Sequence, residues 1–432
     1  MKPYHAYKKQ YSKQFNYIFI GLLLIIPLVF SYAQTADDLN SKISQKNTDI
    51  TQLEQEIKQY QDQLDSLSKQ KSSLNNSVKQ LDLTKKKLEA DISVTQKKIE
   101  KTNLKIQSLS SQIDVKENSI SNDLNVIKIG IKDTNEFEMQ DLLETILSDQ
   151  SFTSVWNDID NVVSVREKIQ DKIIELKQIK GELEDTRKET VDAKNELMTL
   201  NKELANQKKI VEQNTIEKKK LLTQTKNNES NYQKLLADRL AKKNAFEKEL
   251  LDYESQLKFI LDPSLLPKSH VLDWPLDSIY ITGYFSKNAN RKLYSNGFHN
   301  GVDFKASIGT PVKAMSDGTI AGTGDTDVAC SGASFGKFVF IKYNNGLASI
   351  FGHLSLISAS LGQKVNRGDV VGYSGNTGYS TGPHLHVSVY AGTAVSMQSR
   401  ASAACGGHTY YMPIAPVDAY LDPMIYLPLY KN

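Results

Sequence analysis

The stretch Gly382-Pro383-His384-Leu385-His386-Val387, near the end of the chain, predicts how the second half of the protein folds. The apolar residues after it, including Val389 and Tyr390, favour a β-strand that is entered through a glycine-rich turn. Residues two apart on a strand project from the same face and lie about 6–7 Å apart. His384 and His386 are therefore expected side by side in one site, and the residues between and after them face the other way.

Composition divides the 432 residues into two unlike parts. No proline occurs between Pro27 and Pro263, 20 of the 23 glycines lie at or beyond Gly283, and no glutamate follows Glu254. A proline-free middle is compatible with long helices, whereas a glycine-dense end needs many turns. Two architectures are expected, separated by a linker at 259–270. The net charge of +3 is too close to balance to favour nucleic acid as a partner.

The first 33 residues have the pattern of a secretory signal. Several lysines precede an apolar run from Tyr17 to Phe30, and Ser31-Tyr32-Ala33 follows as a small-x-small end. We predict a signal peptide over 1–33, cleaved after Ala33. The alternative is an uncleaved membrane anchor, although the apolar run is at the lower limit of the length that spans a bilayer. Either interpretation places the rest of the protein outside the cytoplasm, in the cell envelope or the extracellular space.

Residues 35–258 carry the pattern of a coiled coil. From Leu39 to Ile99 apolar residues follow alternating steps of four and three, and a second run extends from Leu176 to about Leu257. Between the runs, an apolar cluster predicts a helical cap at about 130–160. Two long helices joined by a cap suggest an antiparallel hairpin, and a parallel dimer is the alternative. The region is either a spacer or an arm that docks to a partner and gates the rest of the protein.

Residues 271–432 are predicted to form an all-β sandwich or barrel. Short β-favouring segments follow one another here, and turns containing glycine or Asn-Gly separate them at close intervals. Both cysteines, Cys330 and Cys405, lie in this part, and neither has the spacing of a zinc-binding motif. In an exported protein they are expected to form a disulfide.

Four of the seven histidines lie in strand-and-turn contexts, and His299 is followed four residues later by Asp303. Two imidazoles and a carboxylate with an open fourth position are a common way to hold catalytic zinc. The candidate ligands are His299, Asp303 and one ring of the pair His384 and His386. The other ring and His353 then remain for proton transfer. Spacing does not decide which of the pair binds metal, and without glutamate the base must be a histidine or an aspartate.

These motifs resemble the lysostaphin-type (LytM-like) zinc metallopeptidases, which cut peptidoglycan peptides. The similarity is carried in order by the following segments: Trp274-Pro275, His299–Asp303, Gly309–Val312, Phe351–Leu354, Val365–Asp369, Gly372–Gly378 and Ser380–His386. The resemblance implies one Zn²⁺ held by His299, Asp303 and His386, with His353 and His384 as catalytic residues. The glutamate that commonly follows the second histidine is replaced around Val387-Ser388-Val389, and 325–335 and 392–413 look like insertions. The helical arm is similar to coiled-coil regulators of cell-division murein hydrolases.

The predicted function is therefore a zinc-dependent endopeptidase that hydrolyses peptide bonds in peptidoglycan cross-links or stem peptides. It would act in cell-wall remodelling or daughter-cell separation, with the coiled coil localising or gating it through a cell-envelope or divisome protein. The alternative is a non-catalytic scaffold that activates a separate cell-wall amidase. A gating arm predicts that the full-length protein is less active than the fragment Ser269–Asn432.

Overall fold

The computed structural model describes residues 36–70, 72–138, 152–257, 262, 264, 266–286 and 297–430. Within these ranges long helices precede an antiparallel β domain, which confirms the predicted fold class. The predicted signal segment and the middle of the predicted helical cap, 139–151, lie outside the described residues, so both stay predictions. None of the helices in the described ranges is long and apolar enough to cross a bilayer.

Four helices form the arm: α1 (Ala36–Ser68), α2 (Leu74–Glu138), α3 (Phe152–Thr225) and α4 (Glu229–Glu254). The 74 residues of α3 extend over roughly 110 Å. Helices α2 and α3 run antiparallel, because Lys116 pairs with Glu182 at 2.6 Å and Asp82 pairs with Lys218 at 2.6 Å. The predicted antiparallel hairpin is therefore present within one chain.

The prediction of one continuous helix from Leu39 to Ile99 is wrong. Helix α1 ends at Ser68, and the chain folds back so that Lys46 on α1 pairs with Glu100 on α2 at 2.6 Å. The start of α2 is capped from two directions. The Ser73 hydroxyl accepts a hydrogen bond from the Asn76 amide at 3.2 Å, and the Glu229 carboxylate accepts one from the Leu74 amide at 2.8 Å. The break thus depends on a partner far along the chain, while the heptad pattern continues across it.

The second helical run also breaks before its predicted end. Lys226 and Asn227 have φ of 50° and 52°, which no α-helix tolerates. The Asn228 side chain then accepts hydrogen bonds from the amides of Ser230 and Asn231, at 2.8 and 3.3 Å, and starts α4. Asparagine is favoured at this capping position. Helix α4 is thereby set apart from α3 as a separate short element.

The β domain contains the following strands in the described part of the chain: β1 (Ile281–Gly283), β2 (Val302–Lys305), β3 (Pro311–Lys313), β4 (Gly318–Asp325), β5 (Lys337–Tyr343), β6 (Leu347–Ile357), β7 (Lys364–Val365), β8 (Val370–Ser374), β9 (His384–Ala391), β10 (Ser396–Ala401), β11 (Thr409–Ile414) and β12 (Tyr420–Leu421). A short helix, α5 (Pro423–Tyr426), follows. The main sheet has the order β1-β2-β9-β6-β5-β4-β7, with β3 and β8 paired beside it. Strand β9 therefore lies between β2 and β6, the two strands that matter most for the site below.

The β domain has one core of its own and a second that it shares with the arm. The first includes Val302, Phe304, Leu385 and Val387, all with 0% exposure. The second joins Phe246 and Leu250 of α4 to a group of residues of the β domain: Phe335, Phe338, Tyr410 and both cysteines. Cys330 and Cys405 form the predicted disulfide. Residues of α4 thus complete the packing of the β domain.

The arm contacts the β domain at a second place, in the first part of α2 and the last part of α3. Leu88 of α2 and Ile210 of α3 pack with Tyr373 of β8 in a small buried cluster. The Asn206 side chain also donates a hydrogen bond to the Tyr373 hydroxyl at 3.3 Å. The β domain is therefore held against the side of the helical arm as well as by α4.

Candidate active site

The candidate site is built on the pairing of β2 with β9. In this antiparallel pair Asp303 lies opposite His386 and Lys305 lies opposite His384. Leu385 and Val387, which alternate with the histidines, point into the first core. Both imidazoles therefore project from the same face, as the two-residue period of a strand predicts.

Three candidate ligand side chains converge on this face. The Oδ1 atom of Asp303 lies 2.7 Å from Nδ1 of His386 and 3.3 Å from Nε2 of His299. The donor atoms of all three residues lie within 4.8 Å of one another. Two ring nitrogens and a carboxylate oxygen at this separation fit the mixed ligand set that zinc takes in catalytic sites.

The hydrogen bond of His299 to the backbone supports the fit to a cation. His299 is bridged to Ser286, and its Nδ1 lies 2.8 Å from the Tyr284 carbonyl oxygen, which accepts only. Nδ1 therefore donates to this carbonyl oxygen, which leaves Nε2 facing the Asp303 carboxylate. A metal ion bound between Nε2 and the carboxylate would take the place of the proton through which the two groups otherwise interact. The chemistry of the donor set thus suits a metal ion.

Ser388 orients the ring of His386. Its hydroxyl lies 2.9 Å from Nε2 of His386, and the serine is completely buried. Accepting the Nε2 proton leaves Nδ1 free for a ligand bond on the side of Asp303. The sequence marked this position only as one where a common glutamate is absent. The strand period could have identified Ser388, because it lies on the same face as both histidines.

The two remaining histidines lie beside this group with their basic nitrogens available. The Nδ1 atoms of His353 and His384 are 2.8 Å from the carbonyl oxygens of Thr377 and Gly382, respectively. These acceptors hold the proton on Nδ1, so Nε2 is the basic atom of each neutral ring. The two ring centroids are 4.6 Å apart. The structure thus brings all five predicted residues together.

Burial and charge set the protonation of the site. Burial lowers the pKa of His353 well below its usual value, and the nearby rings of His384 and His386 lower it further. Burial alone would raise the pKa of Asp303. The contacts with His299 and His386 outweigh burial and hold the pKa of Asp303 well below its usual range. At neutral pH the site therefore holds an ionised carboxylate beside a neutral His353, which is the form that accepts a proton.

Sequence reasoning missed Asp327, which lies in the predicted insertion 325–335. Its carboxylate accepts hydrogen bonds from the amides of Gly332 and Gly378, at 2.6 and 2.7 Å. Gly378 directly follows Thr377, whose carbonyl fixes the ring of His353. Asp327 thereby ties the insertion to the loop that orients His353. No local sequence signal links residues 51 positions apart, so only the folded structure reveals this contact.

Comparison with known proteins assigns the β domain. Residues 297–397 match the model of peptidase family M23. This chain contains a peptidase family M23 domain. The resemblance to lysostaphin-type metallopeptidases is thereby confirmed for the β domain.

Curated relatives match over the same part of the chain. The DD-carboxypeptidase/endopeptidase Mpg of Neisseria meningitidis is 38% identical over 112 residues, which are 26% of this chain and 24% of the relative. The peptidoglycan DD-endopeptidase ShyA of Vibrio cholerae is 46% identical over 88 residues, 20% and 19% of the two chains. The glycyl-glycine endopeptidase ALE-1 of Staphylococcus capitis is 41% identical over 93 residues, 21% and 24%. The chain thus spans about a quarter of the length of these relatives.

Proposed function

We propose that this protein is a zinc-dependent endopeptidase that hydrolyses peptide bonds in peptidoglycan cross-links or stem peptides. The observation that carries the proposal is the convergence of His299, Asp303 and His386 beside the two further rings of His353 and His384. The names of the relatives support an endopeptidase, and they differ in the bond that is cut, between DD- and glycyl-glycine endopeptidases. The bond that this chain cuts is therefore left open.

The proposed metal ligands are Nε2 of His299, a carboxylate oxygen of Asp303 and Nδ1 of His386. Bound Zn²⁺ would supply Lewis-acid chemistry and lower the pKa of a water molecule in the site. The backbone carbonyl of Tyr284 and the hydroxyl of Ser388 hold the two rings in the tautomers that ligation needs. The remaining ligand position would be open to water and substrate.

His353 and His384 are the proposed proton-transfer residues. Nε2 of one ring would take a proton from the attacking water. The other ring would stabilise the tetrahedral oxyanion or give a proton to the leaving amine. The depressed pKa of His353, caused first by burial, favours the neutral form that accepts a proton at physiological pH. His353 also has a φ of 59°, a strained conformation that the surrounding strands maintain at this position.

We infer that the protein acts outside the cytoplasm, in the cell envelope or beyond, where peptidoglycan lies. The helical arm would bring the protein to a partner in the cell envelope. The arm is similar to regulators of cell-division murein hydrolases, and this similarity favours a divisome protein as the partner and a role in daughter-cell separation. Apolar side chains near the far end of α2 and α3 support a partner-binding role, because Ile129 and Ile174 are 56% and 60% exposed.

A non-catalytic activator of a separate amidase is the competing function. It would not require five site residues with fixed ring tautomers, so the enzyme is favoured.

The test is to incubate the purified full-length protein and the fragment Ser269–Asn432 with isolated peptidoglycan. Zinc content is measured by elemental analysis and the released fragments by mass spectrometry. About one zinc per chain and new peptide termini are expected. Zinc binding without any peptide cleavage by either form would overturn the enzyme and favour the activator.

A further inference from the structure

The strand that carries His353 has a β-bulge at that residue. Phe351 of β6 lies opposite Val339 of β5. The next pair in the ladder, Leu354 with Lys337, leaves two residues between the pairs on β6 but one on β5. The extra residue of a bulge changes the direction in which a strand presents its side chains. The direction of the His353 ring therefore depends on how firmly this bulge is held.

The hydroxyl group of Thr377 connects the two strands at the bulge. It accepts a hydrogen bond from the Lys337 amide at 2.9 Å and donates one to the Leu354 carbonyl oxygen at 2.7 Å. The backbone carbonyl of the same threonine accepts a hydrogen bond from Nδ1 of His353 at 2.8 Å. Thr377 therefore binds both strands of the bulge and also the imidazole that the bulge presents.

Little space separates this hydroxyl group from the start of β5. A Cβ atom at Gly336 would lie 2.5 Å from the hydroxyl oxygen of Thr377 and 2.3 Å from the amide nitrogen of Gly378. If a methyl group replaced the hydroxyl, this close packing would leave no room for a water molecule between the loop and the strand. The Lys337 amide and the Leu354 carbonyl would then lose these hydrogen bonds. An unsatisfied backbone group away from water is costly, so the bulge should loosen.

A second hydroxyl group, that of Ser380, contacts the other proposed proton-transfer ring. It donates to the Gly382 carbonyl oxygen at 2.6 Å, so its lone pairs face Nδ1 of His384 at 3.1 Å. The same carbonyl oxygen lies 2.8 Å from Nδ1. The Nδ1 proton of His384 is therefore held between two acceptors, and the neutral ring keeps Nε2 as its basic atom.

The bonds to Nδ1 leave the opposite nitrogen of each ring for the site. Nε2 of His384 lies 3.7 Å from Oδ1 of Asp303, a proposed ligand, and the ring of His353 lies beside that of His384. Both hydroxyl groups belong to the loop between β8 and β9. They contact the ring of His384 and the backbone that holds His353 on the side away from the reacting nitrogens. The two hydroxyl groups thus act through the rings.

We propose that Thr377 and Ser380 are positioning residues for proton transfer. Their hydroxyl groups hold His353 and His384 in the tautomer and orientation in which Nε2 takes and gives the proton. This inference rests on the proposed function and deepens it, because proton transfer tolerates little misplacement of the transferring atom. Since both groups act through the rings, their loss should lower kcat while KM and zinc content stay the same.

The first test determines the tautomer of each ring by NMR. The full-length protein is labelled with ¹⁵N-histidine, and long-range ¹H–¹⁵N spectra are recorded at pH 8.5, above the ordinary histidine pKa. His353→Gln and His384→Gln assign the two rings by the loss of their signals. The unsubstituted protein should show a proton on Nδ1 of both rings. Thr377→Val should add signals of the other tautomer for His353, and Ser380→Ala should do so for His384.

Conservative variants separate positioning from general damage to the fold. Thr377→Ser and Ser380→Thr keep a hydroxyl group and should keep the tautomers of the unsubstituted protein. Thr199→Val is the matched control, because the exposed Thr199 hydroxyl donates to a carbonyl of its own helix. It should leave both rings unchanged. Circular dichroism shows whether each variant is folded, and Thr377→Ala replaces Thr377→Val if that variant does not fold.

The second test measures cleavage of soluble muropeptides by the same proteins. Thr377→Val and Ser380→Ala should each lower kcat by about tenfold to a hundredfold, with KM and zinc content within about twofold of the unsubstituted values. Thr377→Ser and Ser380→Thr should recover most of the lost activity.

Unchanged tautomers in folded Thr377→Val or Ser380→Ala would overturn the role of that residue. An equal loss of kcat in the variant that keeps the hydroxyl group would do the same. If no form of the protein cleaves peptidoglycan, the proposed function fails. Altered tautomers would still support the positioning of the rings, because the spectra do not depend on hydrolysis.

Discussion

Asp303 on β2 lies opposite His386 on β9, with a carboxylate oxygen and a ring nitrogen 2.7 Å apart. This closeness depends on a residue without a side chain two positions earlier. A Cβ atom at Gly301 would lie 2.4 Å from the Val387 carbonyl oxygen and 2.7 Å from Nε2 of His386. The proposed ligand pair therefore requires glycine at position 301.

Gly301→Ala should weaken zinc binding by at least tenfold, because either β2 or the ring of His386 must move to make room for the added methyl group. Zinc affinity is measured by competition with a chromogenic chelator. Gly181→Ala is the control, since a Cβ there meets nothing within 4 Å. In the middle of α3 that change should stabilise the protein by about 0.5–1 kcal/mol. Unchanged zinc affinity in Gly301→Ala would contradict the proposed ligand geometry.

The proposed division between ligands and proton-transfer residues predicts two classes of variant. His353→Ala and His384→Ala should each lower kcat by roughly 10²–10⁴-fold while zinc remains bound. His299→Ala should lose zinc together with activity. Zinc content and cleavage are measured on the same samples. His408→Ala, in an exposed turn, serves as the control and should change neither. Full cleavage by His353→Ala or His384→Ala would remove that residue from the mechanism.

Asp327 is predicted to act as a positioning residue for His353. Asp327→Asn substitutes an amide for one of the carboxylate oxygens that accept from Gly332 and Gly378. The loop that carries the Thr377 carbonyl should then loosen, and kcat should fall about tenfold with little change in KM or zinc content. Asp277→Asn, at an exposed ion pair with Lys313, is the matched control. A fall in thermal stability with unaltered kcat would indicate a purely structural role.

The raised pKa of Glu254 in α4 predicts how the stability of the folded protein depends on pH. Burial raises its pKa to about 8, although hydrogen bonds from Tyr420 and Ala415 partly counter the effect. Between about pH 4.5 and about pH 8, Glu254 therefore keeps its proton in the folded protein but releases it in the unfolded chain. Stability should fall as pH rises through the window from about 4.5 to about 8, because the unfolded state then binds fewer protons.

Glu254→Gln should flatten this pH dependence, since the amide keeps an acceptor oxygen and carries no titratable proton. Thermal unfolding is compared at pH 5 and pH 8.5 for the two proteins. The unsubstituted protein should lose more stability at the higher pH than Glu254→Gln does. Parallel pH profiles would show that Glu254 does not titrate within this window.

The disulfide should make the stability of the folded protein depend on whether a reductant is present. Cys330 and Cys405 are 75 positions apart, and for a closed loop of this size the chain-entropy account gives roughly 4 kcal/mol of stabilisation. Cys405→Ser should lower the melting temperature accordingly and make it insensitive to reductant. In the unsubstituted protein, reductant should lower the melting temperature by a similar amount. A reductant effect that persists in Cys405→Ser would have another origin.

Local sequence patterns predicted much of the β domain. Alternating residues around His384 and His386 identified β9 and the face on which both rings lie. Segments with β-favouring residues between glycine turns identified most of the central strands, including β5 and β6. The ribbon of β10 and β11 was missed because the polar, partly exposed residues of β10 lack a clear alternation, and nearly all of the ribbon lies within a predicted insertion.

The helical arm shows where such patterns fail. Heptad spacing depends on residues three and four apart. It therefore predicts that a segment is helical and which of its faces is apolar, but it does not show where the chain turns back on itself. The turn at Ser73 is completed by Glu229, and no window of sequence contains both residues. A continuous helix was therefore predicted where two antiparallel helices are observed.

The order of helical and β-rich parts, the strand that carries two histidines and the five candidate site residues could all be predicted from the amino-acid sequence. Those features follow from the periodicity of the backbone and from ligand chemistry, which are properties of short segments. The contacts of Asp327 with the loop beside His353 and of Lys243 in α4 with the ring of Tyr379 are visible only in the folded chain. Contacts of that kind depend on which surfaces bury each other, and burial is decided by the whole chain at once.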